Sequence, residues 1–331
     1  EDATVGGVAG YITRQVVQKA LFHNLDDIPI HEYMSTEMSS VPPDADIVEI
    51  QDKIIGNKQR ILPVLENGEV VGVITRTDLL NTLVQQSRSS NHNLSPLNGK
   101  MGPKHSRSVL NFMRERLSAQ VMKTLVRLGR VANELNCNAY VVGGFVRDLF
   151  LYRKNEDIDV VIEGSGIAFA KTFAREFGAR THTHVKFGTA VIIFPEGFKI
   201  DVASARMEYY QFPASLPIVE MSSIKMDMFR RDFTINTLAI QLNPVKFGRL
   251  IDFFSGQKDI KDKVLRVLHN LSFVEDPTRG FRALRFEQRF GFTIGKLTAS
   301  LIDNAVKMDF FKRLSGKRVY GELKLILKEE N

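Results

Sequence analysis

The chain has 331 residues, 44% of them hydrophobic, and a formal charge of +7. That size and apolar content exclude a disordered chain and point to two or more globular units. The lone cysteine, Cys137, excludes an internal disulfide and suits a reducing, cytoplasmic setting, while no apolar run reaches membrane-spanning length. Charge is uneven. Residues 1 to 95 hold 7 Lys and Arg against 13 Asp and Glu, a net of −6, which leaves +13 on residues 96 to 331. A basic segment behind an acidic one suggests that only the second binds a polyanion.

In chain order, Gly10-Tyr11-Ile12-Thr13-Arg14 is echoed by Gly72-Val73-Ile74-Thr75-Arg76, each copy leading into an apolar run, Val16 to Leu21 and Leu79 to Leu83. Val70 to Thr75 is expected as a strand, Asp78 as the opening of a helix, and Ile61 to Val64 with Gly68 to Val73 as a hairpin. Residues 1–85 therefore resemble a CBS module whose first copy is truncated, as if cut from a longer protein. The resemblance implies an adenine nucleotide held by Thr75 and Asp78, or else a module for packing or homodimerisation in which Asp78 only caps its helix. Residues 86–108 are polar and turn-rich and are expected to be a linker. A single basic amphipathic helix is expected from Val109 to Leu135, with Cys137 in a helix-like context. Its Arg114, Arg116, Lys123, Arg127 and Arg130 are candidates for phosphate contact.

The chemistry begins after that helix. Asn138 to Val142 is expected as a strand, and Gly143-Gly144-Phe145-Val146-Arg147-Asp148 as a glycine turn opening a helix, where backbone N–H groups and Arg147 meet an anion. Asp157-Ile158-Asp159-Val160-Val161 is expected as a strand with both acids on one face, about 7 Å apart, able to hold two Mg²⁺ ions. Two like charges so close raise each other's pKa unless a cation intervenes. Asp201, in a hairpin with the strand from Thr189 to Phe194, is expected to complete a three-carboxylate catalytic site.

These motifs resemble the head and neck of the class II tRNA nucleotidyltransferase and bacterial poly(A) polymerase family, over about residues 110 to 325. The fold implied is α/β plus α: a partial CBS module, a polymerase-beta-like head over 109–245 and an all-α neck over 246–331, the family's body and tail being absent. The resemblance assigns the triphosphate to Gly143, Gly144 and Arg147, and the metals to Asp157 and Asp159. It assigns phosphate and ribose to the run Arg230-Arg231-Asp232-Phe233-Thr234-Ile235-Asn236, with Arg231, Asp232 and Asn236 in contact. Asp252-Phe253 to Gly256, with Asp259-Ile260 and Arg266, fits a structural motif. Glu275-Asp276-Pro277-Thr278-Arg279 fits the nucleotide-selecting motif, continued by Arg282 and Arg285 on one helix face, and Leu314 to Leu323 fits the neck motif that follows.

The selecting pair is readable without the name. Cytosine and adenine present an amino donor beside a ring-nitrogen acceptor, and an Asp276 acceptor with an Arg279 donor complements that edge. The expected reaction is attack of a tRNA or other RNA 3′-hydroxyl on the α-phosphate of CTP or ATP, releasing pyrophosphate. Poly(A) polymerase is the alternative acceptor choice, and a nucleotide-sensing CBS protein the alternative class. The segment from Ala203 to Glu220 resembles the family's mobile element and weighs against a CC-only enzyme.

Overall fold

The computed structural model describes residues 7–23, 25, 27–36, 38–51, 53–54, 59, 61–75, 78, 106–209 and 218–329. The chain forms two compact units, Glu1–Met101 and Gly102–Asn331.

In the first unit, Thr13 caps α1 (Arg14–Phe22) by accepting from the Val16 N–H at 3.4 Å. A short α2 (Ile47–Gln51) precedes an antiparallel hairpin of β1 (Ile61–Glu66) and β2 (Glu69–Thr75). Asn67 and Gly68 turn it with φ of 51° and 85°, the backbone such tight turns demand. Val41, Ile54 and Leu62 form its buried core. The expected strand and hairpin are therefore present. Leu79 to Leu83 lies outside the described residues, as does most of the expected linker.

The second unit is built on an eight-stranded mixed sheet. Its strands are β3 (Ser106–Ser108), β4 (Asn138–Val142), β5 (Ile158–Glu163), β6 (Arg180–His184), β7 (Thr189–Ile193), β8 (Lys199–Ser204), β11 (Leu238–Gln241) and β12 (Arg249–Asp252). Their order is β3-β12-β11-β4-β5-β8-β7-β6, with only β5 and β8 parallel. Ser106–Ser108, within the expected linker, thus joins the sheet edge, and β12 carries the sheet past residue 245. A separate small ribbon pairs β9 (Arg206–Tyr209) with β10 (Ile218–Met221).

The expected helix from Val109 to Leu135 is two helices, α3 (Leu110–Arg116) and α4 (Ala119–Glu134). The break falls at Leu117 and Ser118, both extended, where Ser118 accepts from the Val121 N–H and starts a new helix. Apolar spacing runs unbroken through that cap, so periodicity alone hid it. Asn136, at φ 52°, ends the run and leaves Cys137 in the turn before β4, not in a helix. Arg130 pairs with Glu176 and Glu134, and Arg127 lies over the Phe177 ring, so this part of the basic face serves packing.

Against one sheet face, α4 buries Leu125, Leu128 and Val131, and α6 (Gly166–Phe177) buries Phe169 and Phe173. The opposite face is covered in part by α7 (Ile224–Phe229), through Ile224 and Met228. After α5 (Gly144–Phe150) and the sheet come α8 (Gly256–Asp262), the parallel pair β13 (Val264–Leu265) and β14 (Thr293–Ile294), and four helices: α9 (Ser272–Glu275), α10 (Thr278–Phe290), α11 (Lys296–Lys307) and α12 (Gly316–Ile326). Asp252 caps α8 by accepting from the Gly256 and Gln257 N–H groups at 2.8 and 3.0 Å, and Asp259 binds Thr234 and Arg266. The motif of Asp252, Gly256, Asp259 and Arg266 thus shapes the fold, as expected. Among the described residues no helix is long and apolar enough to cross a membrane.

Candidate active site

The carboxylates sit on the sheet's open face. Register pairs Asp159 of β5 directly with Asp201 of β8, while Asp157 lies one residue before β5 instead of within it. Asp157 is held by its own N–H donating to Asn155 Oδ1 at 2.8 Å. Burial raises Asp159 above the usual carboxylate range; Arg231 opposes this, and Asp201 and Asp157 add to it. Burial and Asp157 likewise raise Asp201, with Lys199 opposing. The three acids thus repel one another as the sequence predicts.

Gly143 forms the rim beside them, with φ 68° and ψ −132°. At that φ an L side chain is strained, and a Cβ there would also lie 2.7 Å from Arg231 Nη1 and displace the guanidinium, so glycine suits the position. Arg147 lines the same cleft but is buried and engaged. Its Nε donates to Asp148 Oδ1 at 2.8 Å, its Nη1 to Asn236 Oδ1 at 2.7 Å, and Phe290 lies 4.5 Å from the guanidinium. Asp148 Oδ2 accepts from Asn155 Nδ2 at 2.6 Å, so one chain of hydrogen bonds runs from Arg147 through Asp148 and Asn155 to Asp157.

Arg230 and Arg231 are aimed by Asp227, a wholly buried acid of α7. Its Oδ1 accepts from Arg230 Nη2 at 2.8 Å and its Oδ2 from Arg231 Nη2 at 3.2 Å. Burial alone would raise the Asp227 pKa, yet Arg231 and Arg230 hold it below the usual range. Asp232 is also buried; its Oδ2 takes Arg282 Nε at 2.9 Å and Nη2 at 2.6 Å, and its Oδ1 takes the Phe233 N–H and Asn236 Nδ2. Arg282 and these donors outweigh burial and hold Asp232 far below the usual range.

The helical side of the cleft is α10 and α12. Asp276 Oδ1 accepts from the Thr278 N–H at 3.0 Å, Thr278 Oγ1 at 2.6 Å and Arg318 Nη2 at 2.7 Å. Arg279 donates to Ser272 Oγ at 2.7 Å and to the Arg230 carbonyl at 2.8 Å. Arg285 lies 3.8 Å from Glu322 and 3.7 Å from Glu329; burial and Arg282 lower its pKa. All of the expected nucleotide residues of the second unit, with the three acids, line one cleft of about 1000 Å³.

The sequence reading missed Asn155 and Asp227, and quoted Asp148 in the glycine-turn motif without giving it a role. Asp227 stands three and four residues before Arg230 and Arg231, a helical ion-pair spacing that was available as a signal. Nothing local marks Asn155. In the first unit, Thr75 and Asp78 bind each other: the Thr75 N–H and Oγ1 donate to Asp78 Oδ2 at 2.8 and 2.7 Å.

Residues 139–266 match the poly A polymerase head domain, and residues 30–85 the CBS domain. The chain thus carries a poly A polymerase head domain and a CBS domain, and its relatives are A-adding and CCA-adding tRNA nucleotidyltransferases. Over 322 residues it is 52% identical to an A-adding tRNA nucleotidyltransferase of Geobacter sulfurreducens, covering 97% of this chain and 37% of that one. The A-adding tRNA nucleotidyltransferase of Aquifex aeolicus is 37% identical over 98% of this chain and 37% of its own. The chain therefore spans little more than a third of these relatives. Among solved family structures, an apo CCA-adding enzyme superposes with a TM-score of 0.67 at 47% identity, over 69% of this chain and 54% of that one. The Thermotoga maritima CCA-adding enzyme complexed with tRNA gives 0.63 at 45% identity, over 69% and 52%. The mixed α/β nucleotidyltransferase fold is thereby established, and the expected head-domain resemblance holds over residues 139–266.

Proposed function

We propose that the protein adds AMP from ATP to the 3′ end of tRNA without a template, releasing pyrophosphate. The observation that carries this reading is the in-register pairing of Asp159 with Asp201 in an arginine-lined cleft bordered by the positive-φ turn at Gly143. The choice of A rests on the two relatives described as A-adding.

The residues fit a divalent cation of the Mg²⁺ type. Asp157, Asp159 and Asp201 offer hard oxygen donors, and the last two are held above the usual carboxylate range by burial and mutual repulsion, which a cation relieves. Among the described residues no three His, Cys, Asp or Glu side chains already surround one point. Asp157, Asp159 and Asp201 would hold the cation, and two such ions would supply activation of the attacking hydroxyl and charge stabilisation of the departing pyrophosphate.

The chain's own residues do the rest. Arg231, fixed by Asp227, and the free N–H groups of the first turn of α5 face the triphosphate. Asp232 and Asn236 hold the head side of the cleft against Arg282, beside the ribose. Asp276 and Arg279 present an acceptor and a donor to the base edge, each already oriented by protein partners. CTP is thereby accommodated at the same edge as ATP, since the two bases share that pattern. A cytoplasmic setting follows from the tRNA substrate. The CBS domain, with Thr75 and Asp78 bonded to each other, serves packing or dimerisation; AMP or ATP binding there is the competing outcome.

The test is incubation of the protein with tRNA transcripts ending before, within and after CCA, each with a single nucleoside triphosphate and Mg²⁺. A-addition predicts one AMP on the transcript ending in CC and none thereafter. Run-on addition of A indicates poly(A) polymerase, and addition of C indicates a CC- or CCA-adding enzyme.

A further inference from the structure

The catalytic rank of the sheet does not stop at Asp201. Register continues it from Asp159 to Asp201, to Val191 of β7 and to His182 of the edge strand β6. Partners in register point to the same side of a sheet, so His182 shares the face of the acids, about 10 Å beyond Asp201, or two strand spacings. His184, two residues on, lies on the same face and lines the cleft. The two imidazoles meet edge to face, centroids 4.7 Å apart and planes at 80°. Both are exposed, and neither has a hydrogen-bond or ion-pair partner among the described residues.

The flanks suit an unpaired nucleic-acid strand. Arg180 and Lys199 lie on the same face, one pleat away, in a rank joined through Ile193. At the tip, Val185 is 79% exposed. The tip is also tied to neighbouring strands: Arg206 Nη1 donates to the Phe187 carbonyl at 2.8 Å, and the Ser204 N–H donates to the Gly188 carbonyl at 3.0 Å. A basic margin beside adjacent, uncommitted rings on a tethered hairpin is the composition on which unpaired bases stack.

We propose that the β6–β7 hairpin is the platform for the unpaired 3′-terminal bases of the RNA acceptor, with His182 and His184 as the stacking surface that presents the 3′-hydroxyl to the Asp201 side of the cleft. This rests on the transferase reading above and adds the place where the acceptor lies. His182 and His184 are positioning residues, since they are set to touch the primer's bases and not the reacting atoms.

The experiment uses the full chain, a tRNA transcript ending in CC, ATP and Mg²⁺, with RNA and ATP varied separately. The double variant His182→Ala, His184→Ala is expected to raise KM for RNA about tenfold, the scale of a lost base stack, with KM for ATP unmoved. His182→Phe, His184→Phe keeps a stacking surface and is expected to recover most of the loss; a structural role for the histidines would not give that rescue. In parallel, a 4-thiouridine at the transcript's last position is expected to crosslink within Arg180–Ile193. An unchanged KM for RNA, an equal rise in KM for ATP, or crosslinks confined to other segments overturns the proposal. If the wild-type protein extends no transcript, the transferase reading fails, and the crosslink still reports whether RNA lies on the hairpin.

Discussion

Removing Arg282 tests the coupling between the sheet and α10. Arg282→Ala leaves the Asp232 carboxylate buried, with the Phe233 N–H and Asn236 amide as its described remaining donors. Breaking a buried pair costs ~3–5 kcal/mol; the Arg282 side chain is 33% exposed, so screening reduces this to ~2–3 kcal/mol. For a unit of this size the melting temperature should fall by about 4–12 °C. The effect has a pH signature. The folded-state pKa of Asp232 is depressed, so its contribution is fully present above the unfolded value of about 3.9 and is lost as pH falls toward the folded one. Without Arg282, burial drives the Asp232 pKa upward. The stability gap between wild type and variant should hold from pH 8 to about pH 5 and shrink below that. Urea titrations at pH 7, 5 and 3.5 measure it. A gap that stays constant down to pH 3.5, or one under about 0.5 kcal/mol at pH 7, refutes the reasoning.

Asp159→Asn removes mutual repulsion, so thermal stability at pH 7 should hold or rise while AMP addition falls by several orders of magnitude; Mg²⁺ should raise the melting temperature of wild type only. Gly143→Ala strains a backbone at φ 68° and pushes Arg231, and KM for ATP should rise about tenfold or more, whereas Gly144→Ala, whose Cβ meets nothing closer than 3.5 Å, should cost less in the same assay. Asn155→Ala frees the backbone of Asp157, so kcat should fall about tenfold or more with KM for ATP little changed. Asp276→Ala should relax discrimination against UTP and GTP by about ten- to a hundredfold in single-nucleotide extension, worth ~1–3 kcal/mol; equal loss of all four nucleotides would mark the pair as structural.

Motifs with a local mechanism were legible in the sequence. The Gly143-Gly144 turn, the Asp157-Ile158-Asp159 spacing and the three-residue recurrence of Arg279, Arg282 and Arg285 each dictate a backbone shape or a shared face. Asp201 was also reachable, because its place follows from strand pairing. The rest depends on contacts between distant segments. Asp227 is an unremarkable helical acid until folding buries it under two arginines. Arg318 was readable as part of a neck motif, but its hydrogen bond to Asp276, 42 positions away, belongs to the fold. The break at Ser118 was masked because apolar residues keep their period across it, and a helix cap is visible only once the backbone is known.

That dependence on distant contacts bears on how a protein selects a base without a template. A hydrogen-bonding edge discriminates only if it stays in place when the wrong base arrives; a mobile acceptor and donor would rearrange to suit either pattern. On the proposed reading, the described hydrogen bonds supply that rigidity. Asp276 is fixed on one oxygen by Thr278 and Arg318, so a base meets a carboxylate whose orientation is already set. Arg279 is fixed by Ser272 and by the carbonyl of Arg230, the residue next to the cation that faces the triphosphate. The base-reading and phosphate-reading groups are therefore joined through one backbone carbonyl, so a base that displaces Arg279 also disturbs the Arg230-Arg231 segment. Selectivity of this kind should appear in the rate of transfer as well as in binding, because a mismatched base misplaces the α-phosphate relative to Asp159 and Asp201.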